Sequence, residues 1–305
     1  MATKGIHTHG EALATLQDYQ RLSLQRNCSD RHAPSAVKSG DPLVSIITIT
    51  FNSAQTLEQT ICSVLNQTYD PIEHIIIDGG STDGTLDVIK QYDKQVASWI
   101  SEPDRGISDA FNKGIAASSG EIIGILNSDD WYEEDAVACA VEAMRNTDAD
   151  IVYGMLCTWD GDVKSEEVSA DHELLEREMS MNHPAVFATR AAYEKVGLYR
   201  TDFRYAMDYE WLLRAKKAGL KFSAVEKCLA NMRLDGISNI NWREPLKEEA
   251  RARNLVNPSI MNSIFCRYKI IKGFIRRFFE KIGLRFIVRL FHAYLSSVKK
   301  TGARN

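Results

Sequence analysis

Short apolar runs alternate with segments of helical spacing over the first half of the chain. The runs LVSIITITF (43–51), IEHIIID, EIIGILN and DADIVYGML are rich in β-branched residues, a composition typical of buried strands. Between them, SAQTLEQTICSVLNQ and SDAFNKGIAASS carry apolar residues at helical spacing. Because each helical segment is long enough for a crossover, the pattern from 43 to about 157 predicts a mostly parallel sheet with helices on both faces.

The pattern is looser after about residue 158. WDGDVKSEEVSADHELL predicts a hairpin or a loop, and MDYEWLLRAKKAG predicts a helix. Polar, weakly patterned residues precede the first strand. We therefore predict an extension and linker at 1–40, an α/β domain at 41–245 and a helical tail at 246–305.

Composition is that of an ordinary folded chain, with 44% hydrophobic and 26% charged residues. The N-terminus lacks a signal-peptide pattern and no stretch approaches the ~20 apolar residues of a membrane span. The cysteines are scattered without a CxxC pair, so we expect a reducing compartment with neither a zinc site nor a disulfide framework. These cysteines are Cys28, Cys62, Cys139, Cys157, Cys228 and Cys266.

Charge is distributed unevenly along the chain. Residues 251–305 carry +12 (13 bases and one acid), whereas residues 1–250 carry −16 (24 bases and 40 acids). The tail segment IIKGFIRRFFEKIGLRFIVRLFHAYL places apolar and basic residues on neighbouring helical stripes. This pattern predicts amphipathic helices that bind an anionic membrane surface, and the alternative is packing on the domain or on a second copy in a homodimer. The tail is too apolar to favour nucleic acid as its partner.

Polar residues follow four of the predicted strands. In parallel sheets ligands bind beyond the carboxyl ends of the strands, so these residues are candidates for a binding site. Helix capping and turn formation are the alternative explanation for each of them. The candidates are Thr50, Phe51, Asn52, Asp78, Arg105, Asp109, Lys113, Asp129 and Asp130.

The adjacent carboxylates of Asp129 and Asp130 narrow the chemistry. Two such groups at one strand end repel each other unless one is protonated or a cation lies between them. Carboxylate oxygens suit Mg²⁺ or Mn²⁺, which often bridge protein carboxylates to substrate phosphates. The chain contains neither GxGxxG after its first strand nor a GxxxxGK[ST] motif. We therefore predict a nucleotide or diphosphate site with a divalent cation.

Several of these motifs, in this order, resemble family 2 glycosyltransferases of the GT-A fold. They are SIITITFNSAQTLEQTICSVLNQTY, IIIDGGSTDGT, EPDRGISDAFNKG, ILNSDD and MDYEWLLR, and the resemblance covers about 43–240. It implies transfer of a sugar from a nucleotide-diphosphate donor, usually a UDP-sugar, to an acceptor hydroxyl with inversion. It also implies a saccharide or lipid-linked saccharide acceptor, in the synthesis of surface polysaccharide or glycolipid.

The resemblance also implies roles for individual residues. Asp208 matches the catalytic carboxylate, and Asp129 with Asp130 matches the acidic metal motif, in which Asn127 stands where many relatives carry a further Asp. His183 in MNHPAVF is a candidate contact to acceptor or metal, and a structural histidine before a proline is the alternative. The residues implied to bind the nucleotide sugar are Thr50, Phe51, Asn52, Asp78, Arg105, Asp109, Lys113 and Asp129.

Two other functions remain open at the level of sequence. A sugar nucleotidyltransferase is also an α/β enzyme with a metal site, but it usually has a glycine- and base-rich loop after the first strand, which TFNSAQTLEQT lacks. A carbohydrate-binding module without catalysis is disfavoured by the three aspartates. For the enzyme we expect a cytoplasmic location, peripheral on the inner face of the membrane.

Overall fold

The first half of the chain alternates strand and helix, as its apolar pattern predicts. The computed structural model describes residues 40–234, 242–281 and 300–301. The elements of this half are β1 (Val44–Thr50), α1 (Leu57–Leu65), β2 (Ile72–Asp78), α2 (Thr85–Gln91), β3 (Ser98–Ser101), α3 (Ile107–Ala117), β4 (Ile122–Asn127), β5 (Trp131–Tyr132) and α4 (Ala136–Thr147).

Strands β1 to β4 form the parallel part of the sheet. β1 pairs with β2 on one side and with β4 on the other, and β2 pairs with β3. Their isoleucines are buried on both faces: Ile47 and Ile75 pack with α3, whereas Ile76 packs with α1 and α2. Coverage on both faces explains why these strands read as continuous apolar runs. Their parallel pairing places the polar residues that follow them at one edge of the sheet.

The second half extends the sheet with antiparallel pairs. Its elements are β6 (Ile151–Asp160), β7 (Val163–Val168), β8 (Val186–Thr189), α5 (Arg190–Val196), α6 (Met207–Lys217), β9 (Phe222–Arg233), α7 (Arg243–Val256), α8 (Ile260–Lys281) and β10 (Lys300–Thr301). The sheet order is β10-β7-β6-β8-β4-β1-β2-β3, and β9 pairs with β5 and parallel to β6. The predicted α/β architecture and the hairpin after residue 158 are confirmed.

The C-terminal helices are described only in part. α7 packs between α6 and α8, with Ala252 fully buried, so the boundary predicted at residue 245 falls inside a helix. The division into domains remains a prediction. The predicted linker up to residue 39, residues 235–241 and the parts of the predicted tail at 282–299 and 302–305 lie outside the described residues. No helix in the described ranges is both long enough and apolar enough to span a membrane.

One cysteine pair corrects the sequence analysis. Cys157 on β6 and Cys228 on β9 form a disulfide, although we expected none. The two residues are 71 positions apart, and only the pairing of β6 with β9 brings them together. A spacing rule cannot detect such a contact. The described cysteines that remain free are Cys62, Cys139 and Cys266.

Candidate active site

The end of β2 is organised by the carboxylate of Asp78. This side chain is fully buried and accepts hydrogen bonds from the backbone N–H groups of Gly80 and Ser81 and from the hydroxyls of Ser81 and Ser101. Three of these bonds go to Oδ2 and the Ser81 hydroxyl donates to Oδ1, so both carboxylate oxygens have partners. The structure therefore places Asp78 beneath the loop, as the group that holds it in shape. Its predicted role in binding the nucleotide sugar is not tested by this arrangement.

The loop after β1 lies against the loop after β2. Asn52, whose φ of 51° lies in the left-handed region, donates its backbone N–H to Ser81 Oγ at 2.7 Å. Its side-chain oxygen accepts from the Thr82 N–H at 2.9 Å. Phe51 is 61% exposed at the tip of the loop, and the Thr50 hydroxyl is buried without a partner. An exposed ring and an unpaired hydroxyl on a braced loop suit the binding of a flat heterocycle.

Arg105, just before α3, and Asp109 and Lys113 on α3 form one charged cluster. Arg105 donates from its guanidinium and from its backbone N–H to Asp109, both at 3.1 Å. Lys113 lies 3.5 Å from Asp109 and 2.9 Å from Glu102. Asp109 and Lys113 are largely buried, whereas the Arg105 side chain is 73% exposed. A side chain at position 79 would displace its neighbours, because a Cβ at Gly79 would lie 2.6 Å from Asp104 Oδ2 and 3.3 Å from the Phe51 ring.

Asp129 and Asp130 follow β4, and one carboxylate oxygen of Asp130 has no hydrogen-bond partner. Burial raises the pKa of Asp129, and burial together with the Asp129 carboxylate raises the pKa of Asp130 well above its ordinary value. Asp130 Oδ2 accepts from the amide of Asn127 at 3.2 Å, but Oδ1 is buried without a partner. A buried carboxylate oxygen without a donor, beside a second carboxylate, fits a hard divalent cation.

Asp208 lies in the first turn of α6 and lines an open pocket of about 460 Å³. Burial raises the pKa of Asp208 to about 6, and Glu249 and Glu248 add to the rise. Its Oδ1 accepts the Tyr209 N–H at 2.7 Å. The pocket also includes Asn127, whose side chain contacts Asp130. The structure thus brings Asp208 into one cavity with Asn127, the residue that donates to Asp130.

His183 lies in a 3₁₀ turn and lines the same pocket as Asp208. Its ring stacks on Phe111 with centroids 4.9 Å apart, and burial lowers its pKa to about 4. The imidazole is therefore neutral near pH 7. A second cavity of about 10 Å³, lined by His183, Asp208 and Tyr199, lies beside the base. The position suits a contact to an acceptor, and a role in the packing of Phe111 accounts for the stacking.

Sequence reasoning missed two residues of this site. Arg204 lines the pocket four residues before Asp208, and Glu248 on α7 accepts the backbone N–H groups of residues 204–206. The motif FRYAMDYE contains the arginine, so a closer reading of the residues around Asp208 would have found it. Nothing in the sequence indicates the contact with Glu248, which lies 40 residues after Asp208.

Comparison with known proteins agrees with this geometry. Residues 45–196 match the family model described as Glycosyl transferase family 2. The uncharacterized glycosyltransferase Rv1514c of Mycobacterium tuberculosis is 37% identical over 185 residues, which cover 57% of this chain and 69% of that protein. The chain belongs to glycosyl transferase family 2. It is accordingly an enzyme of the family 2 glycosyltransferases, as the motifs predict.

A further family relative and two solved structures extend the comparison. The putative teichuronic acid biosynthesis glycosyltransferase TuaG of Bacillus subtilis is 26% identical over 245 residues, covering 77% of this chain and 97% of TuaG. The mannosyltransferase PcManGT of Pyrobaculum calidifontis, solved with GDP-Man and Mn²⁺, has a TM-score of 0.58 at 16% identity and covers 92% of this chain and 88% of its own. Staphylococcus aureus TarS 1–349, solved with UDP-GlcNAc, has a TM-score of 0.56 at 15% identity, with 83% and 76% covered. At these identities the two structures show a shared GT-A fold.

Proposed function

We propose that this family 2 glycosyltransferase transfers a sugar, with inversion, from a UDP-sugar to an acceptor hydroxyl in the synthesis of surface polysaccharide or glycolipid. The observation that carries the proposal is that Asp208 and Asn127, the partner of Asp130, line one pocket. Asp208 could deprotonate the acceptor hydroxyl that attacks the sugar of the donor. The residues after β4, next to Asn127, would bind the diphosphate that departs. TuaG is named for teichuronic acid biosynthesis, which supports the polysaccharide setting.

Asp208 is the proposed general base. A sugar hydroxyl is a weak nucleophile, so a positioned carboxylate must take its proton as the new C–O bond forms. With a pKa of about 6, Asp208 is ionised at neutral pH and retains more basicity than an exposed aspartate. Asp208 is the one carboxylate among the described residues of the pocket wall. A single base is sufficient for a direct displacement, which inverts the configuration.

The donor would lie across the ends of β1, β2 and β4. Phe51 and the loop held by Asp78 suit contact with the nucleobase of the donor. The cluster of Arg105, Asp109 and Lys113 suits contact with its ribose and diphosphate. Asp129 and Asp130 would hold a divalent cation, Mn²⁺ or Mg²⁺. When bound, such a cation stabilises the negative charge of the departing diphosphate. PcManGT was solved with Mn²⁺, which supports the same requirement here.

Metal-dependent donor hydrolysis tests the proposal. Without acceptor, Mn²⁺ should support slow release of UDP from a UDP-sugar, and EDTA should abolish it. Pyrophosphate exchange instead of UDP release would indicate a sugar nucleotidyltransferase. No detectable activity with any donor would indicate a carbohydrate-binding module. Titration with UDP and GDP under the same conditions separates the two nucleotides bound by the solved relatives. Stronger binding of GDP would contradict the proposed UDP donor.

The tail is the proposed contact with the membrane. α8 leaves a row of apolar residues exposed, from Ile260 (82%) through Ile264 and Ile271 to Ile275. The strongly basic segment around it suits an anionic leaflet, because each Lys or Arg near such a surface contributes roughly 1 kcal/mol. This would place the enzyme at the cytoplasmic face of the membrane, where a lipid-linked acceptor is found.

Co-sedimentation with vesicles containing anionic lipid tests this placement. Full-length protein should pellet with the vesicles at low salt, and a chain truncated after residue 258 should remain in the supernatant while still hydrolysing UDP-sugar. Vesicles of neutral lipid are the control. If the full-length protein does not pellet but its dimer dissociates on truncation, the exposed face of α8 binds a second copy instead.

A further inference from the structure

The large pocket has two charged side chains among the wall residues that the structure describes, Asp208 and Arg204. Asp208 already has a proposed role. Arg204 is exposed, and its guanidinium carbon lies 5.6 Å from the centre of the Tyr205 ring. A cation that lies over an aromatic ring keeps all its N–H groups available for an anion.

The other arginines around this segment have carboxylate partners. Arg200 and Arg251 both pair with Asp202, and Arg214 pairs with a glutamate of its own helix. No carboxylate in the described ranges forms an ion pair with Arg204. Among the residues that the structure describes, the arginine on the pocket wall thus differs from its neighbours in having no carboxylate counter-ion.

The backbone that carries Arg204 is held in place from behind. Glu248 accepts the N–H of Arg204 at 3.0 and 3.1 Å, of Tyr205 at 2.7 Å and of Ala206 at 2.9 Å. The N–H of Ala206, the N-cap residue of α6, lies at the helix N-terminus, where an anion is otherwise attracted. Glu248 binds that group, and the guanidinium of Arg204 is the cationic side chain that the described pocket wall offers to an anion.

We infer that Arg204 selects an acceptor that carries an anionic group, a carboxylate or a phosphate, next to the hydroxyl that is glycosylated. The inference rests on the proposed function and adds the class of acceptor. Arg204 lies four residues before the base, on the segment that leads into α6, so a group bound to it lies close to the attacking hydroxyl. The planar guanidinium can bind either anion through two parallel hydrogen bonds.

The apolar residues of the pocket wall suit a different part of the acceptor from the anionic group that Arg204 binds. Four methionines line the pocket: Met179, Met181, Met207 and Met232. Methionine side chains are flexible and adapt to ligands of different shape, so they supply contact without strict selectivity. A fixed charge on an adaptable wall then provides the selective contact.

Ligand-observed NMR titration with three probes tests the inference in the presence of Mg²⁺ and saturating UDP. The probes are methyl β-D-glucuronide, glucose 6-phosphate and the neutral methyl β-D-glucoside. At least one anionic probe should bind about tenfold or more tightly than the neutral one, as expected for a charge-assisted contact. The first two probes distinguish a carboxylate from a phosphate. Raising the salt concentration should reduce the preference.

Two variants and a matched control complete the test. Arg204→Gln should lose the preference for the anionic probe, Arg204→Lys should keep part of it, and Arg200→Gln, which removes a nearby charge outside the pocket, should retain it. Unchanged thermal unfolding confirms that each variant is folded. Equal binding of all three probes by the wild-type protein would overturn the inference.

A loss of UDP affinity in Arg204→Gln equal to the loss for the anionic probe would also overturn it, because Arg204 would then contact the donor. Failure here is distinct from failure of the proposed function, since metal-dependent UDP-sugar hydrolysis by the wild-type protein is measured separately.

Discussion

Ser81 donates two hydrogen bonds to the carboxylate of Asp78, one from its backbone N–H at 3.0 Å and one from its hydroxyl. With Gly80 and Ser101 they satisfy a carboxylate that has no access to solvent. The polar turn after β2 is therefore built around a buried charge. Its stability and its shape both depend on that charge.

Asp78→Asn should destabilise the protein, because an amide nitrogen would face hydrogen-bond donors in a closed site. We expect a loss of about 3 kcal/mol in the free energy of unfolding, as for other disrupted buried polar networks. Urea denaturation measures it. Asp87→Asn, an exposed position on α2, is the control and should change stability by less than about 0.5 kcal/mol. A similar small effect at Asp78 would contradict the structural role.

Asp130→Asn should have the opposite effect on stability. A carboxyl group whose pKa is raised in the folded state destabilises that state at neutral pH, so its neutral replacement should stabilise the metal-free protein, by about 1 kcal/mol. The same change should remove the increase in Tm that Mn²⁺ with UDP produces. Thermal unfolding in EDTA and in Mn²⁺ measures both. Asp148→Asn, at an exposed aspartate paired with Lys221, should do neither.

Turnover should fall as the pH drops through about 6. Asp208 must be ionised to take a proton, and its pKa of about 6 means that only about a tenth is ionised at pH 5. Rates measured with saturating donor and metal should therefore decrease tenfold per unit below that value. Asp208→Asn should lower kcat by ~10²–10⁴ and abolish the decrease in rate at acidic pH, while UDP still binds. If the rate of the variant still decreased in the same way at acidic pH, another group would be responsible for the pH dependence.

His74 should make the fold sensitive to acid. Its buried ring lies with Nε2 2.9 Å from Thr48 Oγ1, and burial lowers its pKa to about 3 from an ordinary value of about 6.5. Between those values the unfolded chain binds a proton that the folded protein does not, so stability falls as the pH drops from about 6.5 towards 3. The slope is about 1.4 kcal/mol per pH unit for one proton.

Urea denaturation from pH 7 to 4 measures this slope. His74→Gln keeps a hydrogen-bonding group near Thr48 but does not titrate, so its slope should be shallower by about one proton over that range. Parallel curves for the variant and the wild-type protein would show that His74 does not carry the effect.

The parallel half of the sheet was predictable because its strands are buried on both faces. IEHIIID reads as a strand in isolation, and the structure places β2 on the same residues, Ile72–Asp78. β9 was missed, since FSAVEKCLANMR exposes Glu226 and Lys227 in mid-strand and shows no sustained apolar run. A strand that packs at one end and is solvated at the other gives no clear period.

The site was predictable in its residue types and less so in its contacts. The motifs indicate Asp129, Asp130 and Asp208, but not that Asp78 is closed off by Ser101 from the next strand. Such contacts depend on the register between strands, and a single sequence does not specify which of several polar residues will meet. The same limit hid the disulfide between β6 and β9.

The hydrogen bonds from the backbone of residues 204–206 to Glu248 determine how short a catalytic fragment of the enzyme can be. The family model ends at residue 196, yet the loop before the base is fixed by a helix that ends at Val256. That helix also packs against α8, whose exposed apolar face is the proposed membrane contact. A minimal catalytic fragment must therefore extend to about residue 256. Because α7 contacts both α8 and the segment before Asp208, it links the proposed membrane contact to the proposed base.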